Sequence, residues 1–426
     1  MSAKKVVSLQ EIKTAMYTRI TDSFWNFQNA DTKEYTHCYH AYPAMMIPQV
    51  ARTLIERFAP SAPCQLLFDP YMGSGTSLVE ASLKGINSIG TDINPLARII
   101  SQAKTTQFDI SKIESHLSEI QTFPFTYQSE DVIDQDFSRI SNHSFWYSEQ
   151  ILLKLSYISQ VINTFERDVQ LFFQIALSEV VREVSYTRNG EFKRFRMKED
   201  KIKQFNPDVF GLFEYKLFRN LKGLKQYNNV KTAQASICDF NTVEGIPDNI
   251  LPDESVDMIV TSPPYGDSHT TVAYGQFSRW ANEWFNMENA TNLDNFLMGG
   301  KKKASQKFKT KSIEKELNAI EQADAKRHSE VISFLNDYSD SIHNIAPKIR
   351  KGGRICFVVG NRTVKGIQIP LDYFTAEMFE NEGFQHLQTI VRDIPNKRMP
   401  AKNSPTNITG HTASTMSNEY LVIMEK

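Results

Sequence analysis

Residues 68–76 read FDPYMGSGT and follow Gln65–Phe68, an apolar run with the character of a buried strand. A helical pattern, Thr76–Leu83, begins directly after the second glycine. Because glycine has no Cβ, Gly73 and Gly75 allow a ligand to approach the backbone closely, and a helix N-terminus offers N–H groups without partners. The segment therefore predicts a ligand-binding turn between a strand and a helix.

This turn differs from two common phosphate-binding loops. No Gly-Lys-Ser/Thr follows it, as a nucleotide-phosphate loop requires, and Leu78 stands where the dinucleotide fingerprint has its third glycine. Asp92 follows the next strand-like run, Ser88–Thr91, where a carboxylate can accept hydrogen bonds from ribose hydroxyls. The turn and the carboxylate together predict a cofactor that contains a nucleoside but needs no pyrophosphate. Either feature alone would also suit an ordinary strand–helix turn.

Alternating strands and helices predict the fold class. Five further strand-like runs follow, at Ala233–Cys238, Val256–Val260, Arg354–Val359, His386–Val391 and Tyr420–Met424. Helical patterns lie between strands at Leu96–Ala103, within Glu314–Ile349 and at Leu371–Asn381. This order predicts an α/β protein with a mostly parallel, doubly wound sheet of seven strands. No helical pattern separates the last two strands, so we expect them to pair antiparallel at the edge of the sheet.

Two intervals are too long to be simple connections within such a sheet. Residues 104–230 carry several helical patterns, including Gln170–Val184 and a stretch that Asn206 would cap and that runs to Tyr227. We interpret this interval as a mainly helical insertion. Residues 267–312 contain a lysine-rich stretch and form a second, basic insertion.

Composition limits the classes of protein that the chain can belong to. It has 426 residues, of which 41% are hydrophobic, and a formal net charge of −1, which suits a folded protein with more than one core. No apolar run approaches the roughly 20 residues of a membrane span, and the sequence starts without a hydrophobic signal core. The four cysteines include no CxxC pair, which argues against a zinc ribbon or disulfide framework. We therefore expect a soluble cytoplasmic protein without a membrane partner.

A net charge near zero still permits nucleic-acid binding, because phosphate contacts depend on local basic patches. Three such patches occur, at residues 188–203, 295–311 and 392–402. Each patch alone is most simply a solvated loop. They indicate nucleic-acid binding only if they surround an active site.

A second turn, residues 260–266, reads VTSPPYG and follows the fourth strand-like run. Its two consecutive prolines fix φ and remove two backbone donors, so the turn is rigid and presents carbonyl groups. The hydroxyl of Ser262 and the ring of Tyr265 flank the prolines and make a small clamp. Such a clamp can accept hydrogen bonds from an exocyclic amine while its ring stacks on a base.

The chain resembles the AdoMet-dependent amino-methyltransferases that modify DNA bases in two motifs, DPYMGSGT at residues 69–76 and TSPPY at residues 261–265. The serine before Pro-Pro-Tyr is typical of the cytosine-N4 enzymes of that family, whereas adenine-N6 enzymes usually carry Asp or Asn there. Residues 37–44, HCYHAYPA, are similar to the segment that precedes the first motif and helps to enclose the methionine end of AdoMet. The resemblance spans about residues 35–100, 233–280 and 352–426, somewhat over half of the chain.

This resemblance implies a Rossmann-like class I methyltransferase fold and S-adenosyl-L-methionine (AdoMet) as the cofactor. The residues that it implies for cofactor binding are Tyr42, Pro43, Asp69, Pro70, Gly73, Ser74, Gly75, Thr76, Asp92, Ile93, Asp239 and Thr261. The residues that it implies for catalysis are Ser262, Pro263, Pro264 and Tyr265. They would hold a cytosine that has been flipped out of the duplex while its N4 amine receives the methyl group.

The resemblance also implies a domain organisation and partners. Residues 30–103 and 231–426 would form the catalytic domain, interrupted by the insertions at 104–230 and 267–312. The family's simplest arrangement has neither insertion at these places, so either one could read the DNA sequence. Double-stranded DNA would be the substrate, and a cognate restriction endonuclease would act on the same site.

Two segments are expected to contact DNA. Residues 182–197 mix basic and aromatic side chains around Asn189-Gly190, a hairpin signal. The basic loop of residues 395–416 follows the sixth strand and should lie at the carboxyl edge of the sheet, beside the active site. The candidate DNA-binding residues in these segments are Arg188, Lys193, Arg194, Arg196, Lys397 and Arg398. A hairpin that is merely solvated is the alternative for the first segment.

Several other functions stay open. Adenine-N6 methylation of DNA is the main alternative, followed by RNA base methylation and by an inactive DNA-binding partner, against which the intact cofactor motif argues. C5-methylation of cytosine needs a Pro-Cys turn after the fourth strand, but the only one, Pro63-Cys64, precedes the first strand. A nuclease-like PD…ExK pattern spans residues 207–216, but it falls on one helical stretch, whereas a nuclease needs adjacent strands. His37 and His40 have no further metal ligands nearby in the sequence, so we expect no metal site there.

Overall fold

The computed structural model describes residues 16–60, 63–267, 272–301, 305–394 and 416–426, and the backbone of two short strands, Lys402–Asn403 and Ala413–Ser414. These two strands pair antiparallel with each other. Thr363–Val364 and Ile367–Gln368 make a second small antiparallel pair. The other described strands belong to one large sheet.

This sheet has eight strands, labelled β1 to β8 in chain order: Arg19–Thr21, Leu66–Asp69, Asn87–Thr91, Ala235–Cys238, Val256–Thr261, Ile349–Val359, Gln385–Asp393 and Asn418–Glu425. Their order across the sheet is β1-β7-β8-β6-β5-β2-β3-β4. All neighbours pair in parallel except β8, which runs antiparallel to both β6 and β7. The predicted α/β fold with a mostly parallel, doubly wound sheet is confirmed.

One edge of the sheet differs from the expectation. The antiparallel strand β8 lies inside the sheet, between β6 and β7, and not at its edge. The edge is formed by an eighth strand, β1, which pairs parallel to β7. All three residues of β1 are exposed, so the segment lacks the apolar run that marks the other strands in the sequence.

Helices of eight or more residues are labelled α1 to α11 in chain order: Pro48–Phe58, Thr76–Leu83, Pro95–Thr105, Ile110–Ile120, Glu149–Ile162, Arg167–Glu183, Val209–Asn228, Tyr274–Trp284, Glu314–Ala323, Ala325–Ile345 and Leu371–Asn381. Single helical turns occur at Ser23–Asn26, Tyr35–Cys38, Phe123–Thr126, Ser129–Asp131, His143–Trp146, Glu199–Ile202, Leu293–Asn295 and Ala346–Lys348. Within the described part of the chain, no helix has the length and apolar composition that a membrane span requires.

Two helix boundaries depart from the expectations because aspartates act as caps. The helix expected from Asn206 is α7, which begins at Val209, since the side chain of Asp208 accepts a hydrogen bond from the amide of Gly211 at 3.0 Å. The helical stretch expected within residues 314–349 is divided into α9 and α10. At the division, Asp324 has an extended φ of −167° and its side chain caps α10.

The strands alternate their side chains between two cores. On one face Phe68 and Phe357 pack with α10 and α11, and on the other Leu67 and Met258 pack with α1 and α2. This alternation is what a sheet buried on both faces by helices requires.

A third core, which we call the insertion core, joins the helices between β3 and β4 to α8. Its members include Phe172 and Leu224 from the insertion, Trp280 and Trp284 from α8, and Tyr42 from the segment before α1. All five side chains are buried. The insertion therefore packs against elements that flank the carboxyl edge of the sheet.

The order in which successive strands are added to the sheet reverses between β2 and β5. After β2 the chain proceeds outward through β3 and β4, and β5 then returns to the other side of β2. Crevices at the carboxyl ends of strands that flank such a switch point are the usual ligand sites of doubly wound folds. Here β2 ends at Asp69 and β5 ends at Thr261.

Candidate cofactor and substrate cleft

The turn that follows β2, residues 69–76, is called the glycine turn below. Gly73 and Gly75 have φ values of +48° and +72°, in the left-handed region that favours glycine. The Ser101 hydroxyl on α3 donates a hydrogen bond to the carbonyl of Gly73 at 2.8 Å. A Cβ added at Gly75 would lie 2.8 Å from the Ser101 Oγ atom. The turn therefore depends on glycine both for its backbone conformation and for its packing.

Two carboxyl groups flank this turn, Asp69, which is buried, and Asp92, which is partly buried. Asp92 accepts hydrogen bonds from the amides of Gly73 at 3.1 Å and Asn94 at 2.8 Å. Asp69 accepts one from the hydroxyl of Thr261 at 2.5 Å, which links the end of β2 to the end of β5. Burial raises the pKa of each carboxyl group to about 6. Both groups are therefore mainly ionised at neutral pH and can accept further hydrogen bonds.

A cleft of about 930 Å³, counting its part open to solvent, lies at this edge of the sheet. The residues expected to bind cofactor that line it are Tyr42, Pro43, Asp69, Pro70, Gly73, Ser74, Thr76, Asp92 and Ile93. Ser262 and Pro264 line the same cleft. The structure thus brings the two motifs together around one space.

Three of the residues expected to bind cofactor lie elsewhere. Gly75 sits behind the turn against α3, and Thr261 is buried behind the cleft wall. Asp239 lines a neighbouring open cavity. Phe240 and Asn241 line both this cavity and the main cleft, so Asp239 lies beside the cleft without lining it.

Other cleft residues carry little signal in the sequence. Asn94 donates hydrogen bonds at 2.8 Å to the Tyr42 hydroxyl and to the Ser278 hydroxyl on α8. The Tyr42 ring stacks on the ring of Tyr274, with centroids 5.9 Å apart. Asn94 could have been recognised as the cap before Pro95 at the start of α3. Tyr274 lines the cleft and Ser278 lies one turn further along α8, and nothing in their local sequence predicts these positions.

The turn that follows β5, residues 261–267, is called the proline turn below. The hydroxyl oxygens of Ser262 and Tyr265 lie 3.1 Å apart. Tyr265 donates a hydrogen bond to Glu419 on β8 at 3.3 Å. Burial, supplemented by the charge of Glu419, holds the pKa of Tyr265 well above its ordinary value, so the phenol is neutral at physiological pH. Beyond it, the buried carboxylate of Asp267 pairs with Arg362 at 3.1 Å.

The expected hairpin is confirmed, although several of its arginines face inward. Its arms are joined by hydrogen bonds from the Arg188 amide to the Phe195 carbonyl and from the Met197 amide to the Tyr186 carbonyl, each at 2.8 Å. The Arg194 guanidinium lies over the ring of Trp280 at 4.7 Å.

The other hairpin arginines also have neighbours within the protein. Arg196 lies 4.3 Å from the ring centre of Phe145 and pairs with Glu199, and Arg188 pairs with Glu191 at 3.1 Å. Arg194 and Arg196 therefore attach the hairpin to the rest of the molecule. The expected DNA contacts at Lys397 and Arg398 lie outside the described residues.

The nuclease-like pattern does not form a nuclease site. Asp208 caps α7, and Glu214 and Lys216 lie within that helix, as expected. Lys216 is buried and pairs with Glu183 at 2.6 Å, while Glu214 accepts a hydrogen bond from Gln121. These side chains stabilise the insertion. His37, considered above as a possible metal ligand, has a protein partner, since its Nε2 atom lies 2.9 Å from a carboxylate oxygen of Glu80.

Comparison with known proteins places the chain in a family. The type II methyltransferase M.MvaI of Kocuria varians is 38% identical over 441 aligned residues, which cover 98% of this chain and 97% of that protein. The type II methyltransferase M.BsoBI of Geobacillus stearothermophilus is 24% identical over 294 residues, covering 62% of this chain and 54% of that protein. No family model matches the sequence.

Among solved structures, the rRNA methyltransferase aviRa of Streptomyces viridochromogenes aligns over 91% of this chain and 88% of its own, with 8% identity and a TM-score of 0.34. The family assignment rests on the sequence relatives, since the first of them matches along nearly its whole length. The chain belongs to the type II methyltransferases, the DNA-methylating enzymes of restriction–modification systems.

Proposed function

We propose that the protein transfers a methyl group from AdoMet to the exocyclic N4 amine of a cytosine in double-stranded DNA, with the target base flipped out of the duplex. One observation carries this proposal. Ser262, a neutral hydroxyl residue directly before Pro263-Pro264-Tyr265, lines the same cleft as Asp69 and Asp92. A serine at this place is typical of cytosine-N4 enzymes, as the resemblance of the motif indicates.

The cleft residues fit AdoMet in their donor chemistry. Asp92 retains acceptor capacity for ribose hydroxyls, since each carboxylate oxygen has two lone pairs and each accepts one amide hydrogen bond. Gly73 lets the backbone approach the ligand without a side chain in between. In this proposal Tyr42 and Pro43 enclose the methionine end, and Asp239 lies near the adenine. When bound, AdoMet supplies a methyl group already activated by its sulfonium charge.

The proline turn would act on the amine. Because the lone pair of an exocyclic amine is delocalised into the ring, the amine is a poor nucleophile. Hydrogen bonds from its N–H groups to the Ser262 hydroxyl and the Pro263 carbonyl would favour a pyramidal nitrogen with a localised lone pair. Pro264 keeps the turn rigid, and the ring of Tyr265 would hold the flipped base by stacking, which contributes about 1–3 kcal/mol. Most of the catalysis then comes from positioning.

DNA would approach from the side of the hairpin and of the loop at residues 395–416. Within the hairpin, Lys193 is the stronger candidate for a phosphate contact, because Arg188, Arg194 and Arg196 each lie against an aromatic ring. In this proposal the catalytic domain comprises residues 30–103 and 231–426, and one of the two insertions, at 104–230 or at 267–312, reads the DNA sequence. A cognate restriction endonuclease would cleave the same sequence when it is unmethylated.

Nucleoside analysis tests the proposal directly. The purified protein is incubated with unmethylated plasmid and AdoMet, and the DNA is digested to nucleosides for mass spectrometry. N4-methylcytosine is the expected product, and a reaction without AdoMet is the control. N6-methyladenine would correct the target base and the interpretation of Ser262. 5-Methylcytosine, or no methylated nucleoside in DNA, would contradict the proposal.

A further inference from the structure

A chain of polar side chains runs from the cleft into the sheet. It begins at Ser262, continues through the Tyr265 hydroxyl at 3.1 Å and reaches the Glu419 carboxylate after a further 3.3 Å. Glu419 pairs in turn with Arg392. The first and third members are 157 positions apart in the sequence, at 262 and 419, so no local motif reveals the chain.

Arg392 holds the far end of this chain in place. It lies on β7 directly opposite Glu419 on β8, and its side chain is only 5% exposed. Its Nε atom donates a hydrogen bond to the carbonyl of Trp25 at 2.8 Å. Arg392 and Glu419 form an ion pair, and the carboxylate of Glu419 can only accept hydrogen bonds.

The charge of Glu419 determines the direction of the hydrogen bonds that link it to Tyr265 and Ser262. Because Glu419 only accepts, the Tyr265 hydroxyl must donate to it. The Tyr265 oxygen is then left as an acceptor, so the hydroxyl hydrogen of Ser262 points toward Tyr265. The remaining lone pairs of the Ser262 oxygen face the cleft. An exocyclic amine offers N–H donors and therefore needs an acceptor at this position.

The packing around Tyr265 supports this arrangement. A Cβ added at Gly360 would lie 2.6 Å from the Tyr265 Cδ2 atom, so the glycine leaves room for the ring to reach Glu419. The two hydroxyl contacts, at 3.1 and 3.3 Å, are longer than the usual O–H···O distance of about 2.7–2.8 Å.

We propose that Glu419 is a positioning residue that acts through Tyr265 and orients the Ser262 hydroxyl as a hydrogen-bond acceptor for the target amine. This inference rests on the proposed methylation of an exocyclic amine. Ser262 touches the substrate, whereas Glu419 does not. Glu419 thus determines which way a catalytic hydroxyl points.

Glu419→Gln is the most informative change, because it should reverse the direction of the hydrogen bonds between Glu419, Tyr265 and Ser262. Arg392 offers only donors, so it would take the amide oxygen and turn the amide NH2 toward Tyr265. Tyr265 would then donate to Ser262, and Ser262 would donate into the cleft, where it faces another donor. Tyr265→Phe keeps the ring and the Glu419–Arg392 pair but removes the link between Glu419 and Ser262.

The matched control is Glu425→Gln. Glu425 lies on the same strand, β8, and pairs with Arg354 directly opposite on β6 at 2.6 Å, but it is at the other end of the strand. This variant loses a more exposed cross-strand ion pair of the same strand and should leave methyl transfer unchanged. It therefore separates the effect of the polar chain from that of a lost ion pair.

The measurement is the single-turnover rate of methyl transfer to duplex DNA at saturating AdoMet, together with the AdoMet and DNA dissociation constants. Glu419→Gln and Tyr265→Phe should each slow transfer by about tenfold or more, which corresponds to one lost hydrogen bond. Both dissociation constants should stay within about twofold of wild type. The double variant should be no slower than the slower single variant, since both changes act through one path.

Three outcomes would overturn the inference: a wild-type rate in Glu419→Gln, rate losses that multiply in the double variant, or an equal loss in Glu425→Gln. If Glu419→Gln does not fold, Tyr265→Phe decides alone, and a wild-type rate there rejects the inference. Product analysis of the wild type separates this test from the proposed function. N6-methyladenine would leave the role of Glu419 intact, whereas 5-methylcytosine would remove the amine on which it depends.

Discussion

The glycine turn and the proline turn lie side by side at the carboxyl edge of the sheet, yet they are held in different ways. The glycine turn depends on near neighbours in the chain, namely two left-handed glycines and contacts from Asp92 and Ser101. The proline turn depends on distant residues, since Tyr265 bonds to Glu419 and Asp267 pairs with Arg362. A hydrogen bond from Thr261 to Asp69 joins the two turns.

This difference suggests that the two turns have different functions. A locally determined turn can bind the same cofactor in many proteins, because it carries its own geometry. A turn fixed by distant strands can be adjusted to a particular base by changes far away in the sequence. On this view, damage to the glycine turn should weaken cofactor binding, and damage to the proline turn should slow methyl transfer with the cofactor still bound.

Ser262→Ala should have the largest effect. Removing the hydroxyl takes away the acceptor next to the amine, and we expect methyl transfer to slow by about a hundredfold or more, as for the loss of one preorganised catalytic hydrogen bond. AdoMet affinity, measured by calorimetry, should stay within about twofold of wild type. Ser255→Ala is the control, because Ser255 is partly exposed and lies just before β5, at the end of the strand opposite to Ser262. Equal losses of rate and of AdoMet affinity would contradict the assignment of Ser262 to catalysis.

Gly75→Ala should show the opposite pattern. The backbone at this position is left-handed, which alanine adopts only with strain, and the new Cβ would press against Ser101. We expect this to cost about 1–3 kcal/mol in the free energy of unfolding. We expect AdoMet affinity to fall by about tenfold or more, with a lower free energy of unfolding in denaturant titrations. Gly190→Ala, at the hairpin tip, is the control, because its Cβ would meet no atom within 4 Å. A variant with normal AdoMet affinity and a slow reaction would break the proposed division between the turns.

Charge reversal in the loop after β7 extends the comparison to DNA. If Lys397 and Arg398 contact phosphates, the double change to glutamate should weaken DNA binding. The slope of log K against log salt should become shallower by about two units, because two contacts are lost. Lys351→Glu, at an exposed position near the start of β6, should leave the slope unchanged. An unaltered slope in the double variant would place DNA elsewhere.

The pH dependence of AdoMet binding should show the smallest effect. Burial raises the pKa of Asp92 to about 6, so the group is protonated below that pH and loses acceptor capacity for ribose. AdoMet affinity should therefore fall several-fold as pH drops from about 7 to 5. Asp92→Asn should bind weakly and show a flatter profile over the same range. A wild-type profile that is flat in calorimetry would argue against ribose contact by Asp92.

Unfolding at low pH would not explain such a loss. Because the folded-state pKa of Asp92 exceeds the unfolded value of about 3.9, its contribution to stability is fully present below pH 4 and is lost as pH rises through about 6. The same sign holds for Asp69, whose pKa burial also raises to about 6. Weaker binding at pH 5 therefore reports on the site and not on these groups destabilising the fold.

The same contrast explains how far the sequence could predict the structure. The strands, the glycine turn and Asp92 follow from short apolar runs and from residue types that adjoin them in the chain. The contact between Tyr265 and Glu419, and the stacking of Tyr274 on Tyr42, arise only when distant segments meet. Strand β1 was missed because an exposed three-residue edge strand has no apolar pattern to detect.

The sequence of residues 182–197 illustrates a second limit. It correctly predicts a hairpin, but basic residues beside aromatic ones suit either a DNA-facing surface or an internal cation–π contact. The structure shows Arg194 and Arg196 in the second role. Which partner an arginine takes depends on the rings that tertiary packing brings to it, such as that of Trp280 on α8.

The insertion core has a consequence for protein engineering. It combines Phe172 and Leu224 of the insertion with Tyr42 and Trp280, which flank the cleft. A Cβ at Gly223 of α7 would lie 2.2 Å from the carbonyl oxygen of Tyr35, so the insertion meets the segment before the cleft at backbone distance. The insertion cannot then be treated as an exchangeable cassette. If this insertion reads the DNA sequence, new specificities would have to be selected as point changes on its surface with the interior kept, and not obtained by grafting the insertion of another enzyme.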